Sequence, residues 1–198
     1  MGFLKIVFTP HEPFDGETEA LSVLLESGAA DLIHLRHPGA KEESTRGIID
    51  GIPENLRHRI RLHDHFELVS EYGLGGVQLN GRNPVPPDEI LSVSRSCHSI
   101  EEIRDFIEQY PNYEYVTLSP VFDSISKEGY VSAKFDPDEL NVITETAKIV
   151  ALGGVEPHHF RELARLGFSG AAMLGYVWNN PQRKKLSEIV EEINGVSL

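Results

Sequence analysis

The chain has 198 residues, 40% of them hydrophobic, enough for one well-buried core and a single domain over 1–198. Its formal charge of −13, with no long basic run, excludes electrostatic binding of nucleic acid or of an anionic membrane. Cys97 is the only cysteine, so no internal disulfide forms, and no apolar run reaches the length of a membrane span; the expectation is a cytoplasmic protein.

The first apolar run, LKIVFT (4–9), breaks at Thr9-Pro10. With no basic start and no small-residue cleavage site before it, it reads as a strand and not as a leader. The helical period of TEALSVLLESG follows, then the strand DLIHLR (31–36). RIRLH (59–63) is the third strand, HFELVSEYG the next helical segment, and GVQLN (76–80) the fourth strand. A brief helix is expected around PPDEI before the fifth strand, ILSVSR (90–95). SIEEIRDFIEQY, YEYVTLS (113–119), DELNVITETA, KIVALGG (148–154), PHHFRELARLG, GAAMLG (170–175) and RKKLSEIVEEI continue the alternation. Gly28, Gly73 and Gly167 close helical segments, as C-termini prefer. Eight strands of buried-type composition alternating with helices imply parallel pairing and an α/β fold, the (β/α)8 TIM barrel. The alternative, an open doubly wound sheet, lacks a Gly-x-Gly-x-x-Gly after the first strand.

In such a barrel the chemistry gathers at the carboxyl ends of the strands. Those positions hold Arg36 and His37, then His63, Asp64 and His65, then Gln78 and Asn80, then Ser96 and His98. Cations, imidazoles and hydroxyls converge there while the acidic surplus lies mostly on helices, which makes a cup for an anion. Gly153-Gly154 and Gly175 follow the last two strands, where close backbone approach and helix N-termini favour phosphate; ordinary strand-to-loop glycines are the plain alternative. The segment 121–138 is too long for a simple connector. Its Ser124, Ser126 and Lys127 can donate to phosphate oxygens, with Gly129 as a point of closure, or they can be solvated loop residues. His63 and His65 alternate and could share a face for a metal, but the strand ends supply no third and fourth ligand; His11, Asp15 and Asp123 sit only in loops. Contact with substrate or with one another is the preferred reading.

Ser99 and Glu102 fit the Ser-x-x-Glu capping pattern, which puts His98 one residue before a helix N-cap. An imidazole there can take up and return a proton. The plain alternative is a neighbour of the cap that packs on the helix; its place on the rim favours chemistry.

These positions, in this order, resemble the thiamine phosphate synthase/TenI family over essentially the whole chain. LIHLR, LHDHFELVSEYGLGGVQL, SRSCHSIEE, YVTLSPVFDSISKEG and IVALGGVEPHHFRELARLGFSGAAML carry the resemblance, and SPVFDSISK is its most specific piece. The resemblance implies binding of a thiazole phosphate at Ser124, Ser126, Lys127, Gly153, Gly154 and Gly175, and a homodimer. It also implies one of two activities. The synthase joins a pyrimidine methyl diphosphate to the thiazole phosphate with magnesium, through an Arg-x-Lys, an Asn-Asp pair and a second Asp. Here Arg36, Asp64 and the motif serine Ser96 stand, but Pro38 takes the lysine position, His63 the asparagine position, and the second aspartate falls near Asn83. The thiazole phosphate tautomerase moves only a proton, needs no metal or cofactor, and has its base at the position of His98. That tautomerase is the expectation, with Arg36 and Gln78 at the carboxylate end of the substrate. A synthase using Asp64 and Mg2+ is the alternative; a non-catalytic barrel that binds thiamine-related phosphates is a third, and a metal hydrolase the most distant.

Overall fold

The computed structural model describes residues 2–90, 92–122, 135–179 and 184–198. Eight parallel strands close a barrel in sequence order: β1 (Leu4–Phe8), β2 (Leu32–Leu35), β3 (Ile60–Leu62), β4 (Gly76–Leu79), β5 (Val93–Cys97), β6 (Tyr115–Leu118), β7 (Ile149–Leu152) and β8 (Gly170–Met173). β8 pairs back onto β1 with Leu4 opposite Gly170. A Cβ at Gly170 would lie 2.5 Å from the Leu4 carbonyl oxygen, so the closing seam needs a glycine there.

The helices are α1 (Glu17–Glu26), α2 (Glu42–Gly51), α3 (Glu54–Arg57), α4 (Leu68–Tyr72), α5 (Ile100–Gln109), α6 (Pro137–Thr146), α7 (Phe160–Arg165), α8 (Gly175–Trp178) and α9 (Leu186–Asn194). EESTRGIIDG forms a further helix, α2, which buries Thr45, Ile48 and Ile49. One expectation is corrected. PPDEI forms no helix: Asn80 and Asn83 exchange backbone hydrogen bonds of 3.1 Å, three prolines follow, and Ile90 N–H closes a turn on the Pro87 carbonyl. β5 therefore starts at Val93, and its ladder runs on through Ser96 and Cys97.

Alternate strand residues face opposite ways. One set, including Val7, Ile33, Leu62, Val77, Val116 and Ile149, packs with Leu21, Leu24, Ile49, Phe106 and Phe160 of the helices. The other set fills the barrel and is divided in character. Ile6, Phe8, Leu32, Val150 and Ala172 cluster with Tyr115, whereas β2 to β6 bury His34, Gln78, Ser94 and Thr117, with His63 just past β3. These polar groups satisfy one another, as buried polar groups must. Gln78 Nε2 donates to Ser96 Oγ at 2.8 Å and to Thr117 Oγ1 at 3.3 Å, and Ser94 Oγ donates to Gln78 Oε1. His34 is bonded through Nε2 to the Tyr115 hydroxyl at 2.5 Å and through Nδ1 to His63 Nε2 at 3.0 Å, with Phe8 stacked on its face.

Charging either ring would strip an imidazolium of water. Burial first, then Arg36 and Arg82, push His63 down to about 3. Burial first, then His63 and Arg61, also lower His34 well below its ordinary 6.5. Both rings bind protons more readily in the unfolded chain. Stability is therefore full above about pH 6.5 and falls as the pH drops from there toward about 3. We expect urea midpoints to decline across that window, with stability falling by up to ~1.4 kcal/mol per pH unit for each ring. His63→Asn should flatten the profile, and an unchanged slope in that variant would contradict the assignment.

Candidate active site

The carboxyl ends of the strands open into two depressions of about 560 Å³ each. Both are lined by Ser119, Leu152 and Leu174, so they are two lobes of one mouth. Gly153, Gly154, Gly175, Tyr176, Asn179 and Lys184 line the first lobe. Phe8, Arg36, His63, Asn80, Arg82, Ser96 and His98 line the second.

The first lobe is shaped by backbone. Gly153 and Gly154 have φ of 92° and 65°, in the left-handed region. A Cβ at Gly153 would sit 2.8 Å from Pro120 Cα, and one at Gly154 would press on Phe122 at 3.0 Å. Gly175 opens α8, whose first N–H groups have no acceptor within the helix. Lys184, which sequence reasoning missed because it reads as part of a solvated helix start, holds its Nζ 2.6 Å from both carboxylate oxygens of Glu192. Tyr176 donates its hydroxyl to the same carboxylate. Ser124, Ser126, Lys127 and Gly129 lie outside the described residues.

His98 stands between β5 and α5 and faces the second lobe. Its Nδ1 is 3.0 Å from the Ser119 carbonyl oxygen. A carbonyl oxygen only accepts, so Nδ1 donates and the uncharged ring keeps its lone pair on Nε2. Glu102 N–H donates to Ser99 Oγ at 3.1 Å, completing the expected cap. The Glu102 carboxylate, however, reaches past the N-cap and accepts the His98 N–H at 2.7 Å. The residue that carries the imidazole is thus tied to the start of α5 and to the end of β6.

The remaining rim residues divide. Arg36 lines the second lobe. Ser96 lines it too, with its Oγ accepting from Gln78 and Thr117. Gln78 itself is corrected: it is fully buried, both ends of its amide are engaged inside the barrel, and it lines neither lobe. His63 and His65 do not share a face. β3 ends at Leu62, His63 turns into the barrel, and His65 adopts φ 56° and bonds to the Ala40 carbonyl at 3.0 Å. His37 is buried, with Nδ1 on the Pro10 carbonyl at 3.1 Å and Nε2 3.0 Å from the Glu17 carboxylate, off the line of a hydrogen bond; it braces the loops after β1 and β2.

Asp64 is held from two sides. Arg82 lies on both its oxygens, Nε to Oδ1 at 3.1 Å and Nη2 to Oδ2 at 2.9 Å, and Asn83 Nδ2 donates to Oδ1 at 2.8 Å. A divalent cation asks for free oxygen ligands, commonly one or two carboxylates. Here one carboxylate is already bound by a cation, and Asn83, near which the resemblance puts the second acid of a magnesium set, turns an amide donor toward it. These residues do not fit magnesium. Among the described residues, the one group of acids and imidazoles close enough to hold a metal is Glu42, His65 and Glu67, which lines neither lobe.

A family model described as thiamine monophosphate synthase matches residues 4–177. Among curated relatives, the thiamine-phosphate synthase of Pyrococcus furiosus is 28% identical over 211 residues, covering 97% of this chain and 97% of that protein. The thiamine-phosphate synthase of Latilactobacillus sakei is 25% identical over 141 residues; that match covers 67% of this chain and spans 61% of the relative's length. Among solved structures, a thiamine phosphate pyrophosphorylase from Bacteroides thetaiotaomicron superposes with a TM-score of 0.80 at 30% identity, covering 98% of this chain and 94% of that one.

The two glycine turns make different demands. Gly153→Ala should cost ~1–3 kcal/mol of stability, since φ and the approach of Pro120 both oppose a side chain. Gly175→Ala, whose Cβ meets nothing within 4 Å, should change stability by less than about 0.5 kcal/mol. Chemical denaturation of the two variants measures the contrast, and equal losses would contradict it.

Proposed function

The chain belongs to the thiamine monophosphate synthase/TenI family, and on that premise we propose that it is an enzyme that seats a thiazole monophosphate across both lobes and isomerises the ring by proton transfer. The phosphate lies among Gly153, Gly154 and Gly175, with Ser124, Ser126 and Lys127 as further donors, and the ring lies beneath His98. The observation that carries this reading is the bond from His98 Nδ1 to the Ser119 carbonyl, at a residue that lines both lobes. With Nε2 free as a base, the ring takes a proton from a ring carbon of the non-aromatic carboxythiazole phosphate. The electron pair left behind spreads through the conjugated system. The imidazolium, steadied by the same carbonyl, then returns the proton to another atom of that system, giving the aromatic tautomer with no net gain or loss. Arg36 faces the carboxylate end.

The names of the relatives support a second reading, thiamine-phosphate synthase, in which a pyrimidine methyl diphosphate alkylates the thiazole nitrogen and pyrophosphate departs. That reaction needs positive charge on the leaving diphosphate. Arg36 supplies some of it. Pro38 stands at the lysine position and Asp64 is bound to Arg82, and on those grounds the geometry favours proton transfer.

Both reactions are to be assayed on one sample. Unmodified protein should isomerise carboxythiazole phosphate and release no pyrophosphate from the synthase substrates with magnesium. His98→Asn should lose isomerisation by roughly 10²–10⁴-fold while binding thiazole phosphate as before. Rapid pyrophosphate release would favour the synthase, and binding with neither turnover would favour a non-catalytic role.

A further inference from the structure

Proton transfer at His98 leaves Arg82 without a task, yet the loop after β4 is built around it. Asn80 Oδ1 accepts the backbone N–H of Arg82 at 2.9 Å and of Asn83 at 3.2 Å. The side-chain amides of Asn80 and Asn83 both donate to the His63 carbonyl, at 2.7 and 3.0 Å. This frame lays the guanidinium as a fork on Asp64, using Nε and Nη2 and leaving Nη1 to spare. Arg36 lines the same lobe, close enough that Arg82 lowers its pKa, after burial as the larger cause. On this β2–β4 side two guanidiniums face one carboxylate, beside an uncharged His63. The other charged groups lining the lobe are at its β5 side, where Glu102 is bound to the His98 N–H and Arg95 lies over the Phe106 ring.

We infer that Arg82 stands where the synthase carries its divalent cation, so that an anionic group in this lobe is held by Arg36 and Arg82 without metal. Resting on the proposed function, the group is the ring carboxylate, whose planar oxygens suit a guanidinium pair. Asp64 is then a support for Arg82, and Asn83, with an amide in place of an acid, leaves that carboxylate to the arginine.

Binding tests this independently of turnover. Calorimetric titrations use carboxythiazole phosphate, thiazole phosphate without the carboxylate, and inorganic pyrophosphate, each in excess EDTA and in millimolar magnesium. The carboxylated compound should bind equally in both buffers. Arg82→Met should weaken it about tenfold and leave the compound without a carboxylate unchanged. The double variant Arg82→Ala/Asn83→Asp frees Asp64 and restores a second acid, and its binding should become magnesium-dependent. Tenfold tightening of the unmodified chain by magnesium would overturn the inference. So would equal weakening of both thiazoles by Arg82→Met, or a folded double variant that ignores magnesium. Pyrophosphate binding more tightly than the carboxylated thiazole in EDTA would overturn the carboxylate assignment. Failure of the isomerase reading is seen separately, in the turnover assay.

Discussion

His98 Nδ1 can donate to the Ser119 carbonyl because two strands hold a fixed register. Ser96 lies opposite Thr117 and Cys97 opposite Leu118, and Ser119 N–H then donates to the Cys97 carbonyl at 3.0 Å. The next residue along β5 is His98, so the ladder that builds the barrel also sets the imidazole against the carbonyl that chooses its tautomer. A slip of one residue would turn the serine pair to the other face and take the acceptor away. Ser119 lines both lobes, so the same contact ties the base to the glycine cradle on one side and to the arginines on the other.

Charge is distributed in a way that serves this arrangement. The chain carries −13 overall, yet Arg36 and Arg82 stand together on one side of the mouth. Beneath them, on the β2–β6 side, lies a layer of uncharged groups, in which His34, His63, Gln78 and Tyr115 close their hydrogen bonds among themselves and with Ser94, Ser96 and Thr117. The charge buried on β3, Arg61, is paired with Glu114 at 2.7 Å. No helix among the described residues is long and apolar enough to cross a membrane.

The barrel was legible because parallel strands buried on both faces write themselves as short β-branched runs, and eight of them recur between helical segments. The rim was legible for the same reason: once strands are placed, their ends follow, and Arg36, Ser96, His98 and the glycines all line the mouth. What failed is side-chain direction, within a strand or just past its end. Gln78 lies within a strand, between outward Val77 and Leu79, so alternation points it into the barrel, where neighbours consume its amide. His65 departs because the backbone turns left-handed just beyond β3. Arg82 was invisible because its partner is eighteen residues away, across two loops whose paths follow no period.

The tautomer of His98 can be observed directly by nitrogen-15 NMR of the ring in mildly alkaline buffer. The proton should reside on Nδ1, with Nε2 showing the shift of a bare nitrogen, and replacement of His98 should remove that signal alone. A proton on Nε2 instead would mean that the Ser119 carbonyl does not hold the ring, and the base on which the proposed chemistry turns would be absent.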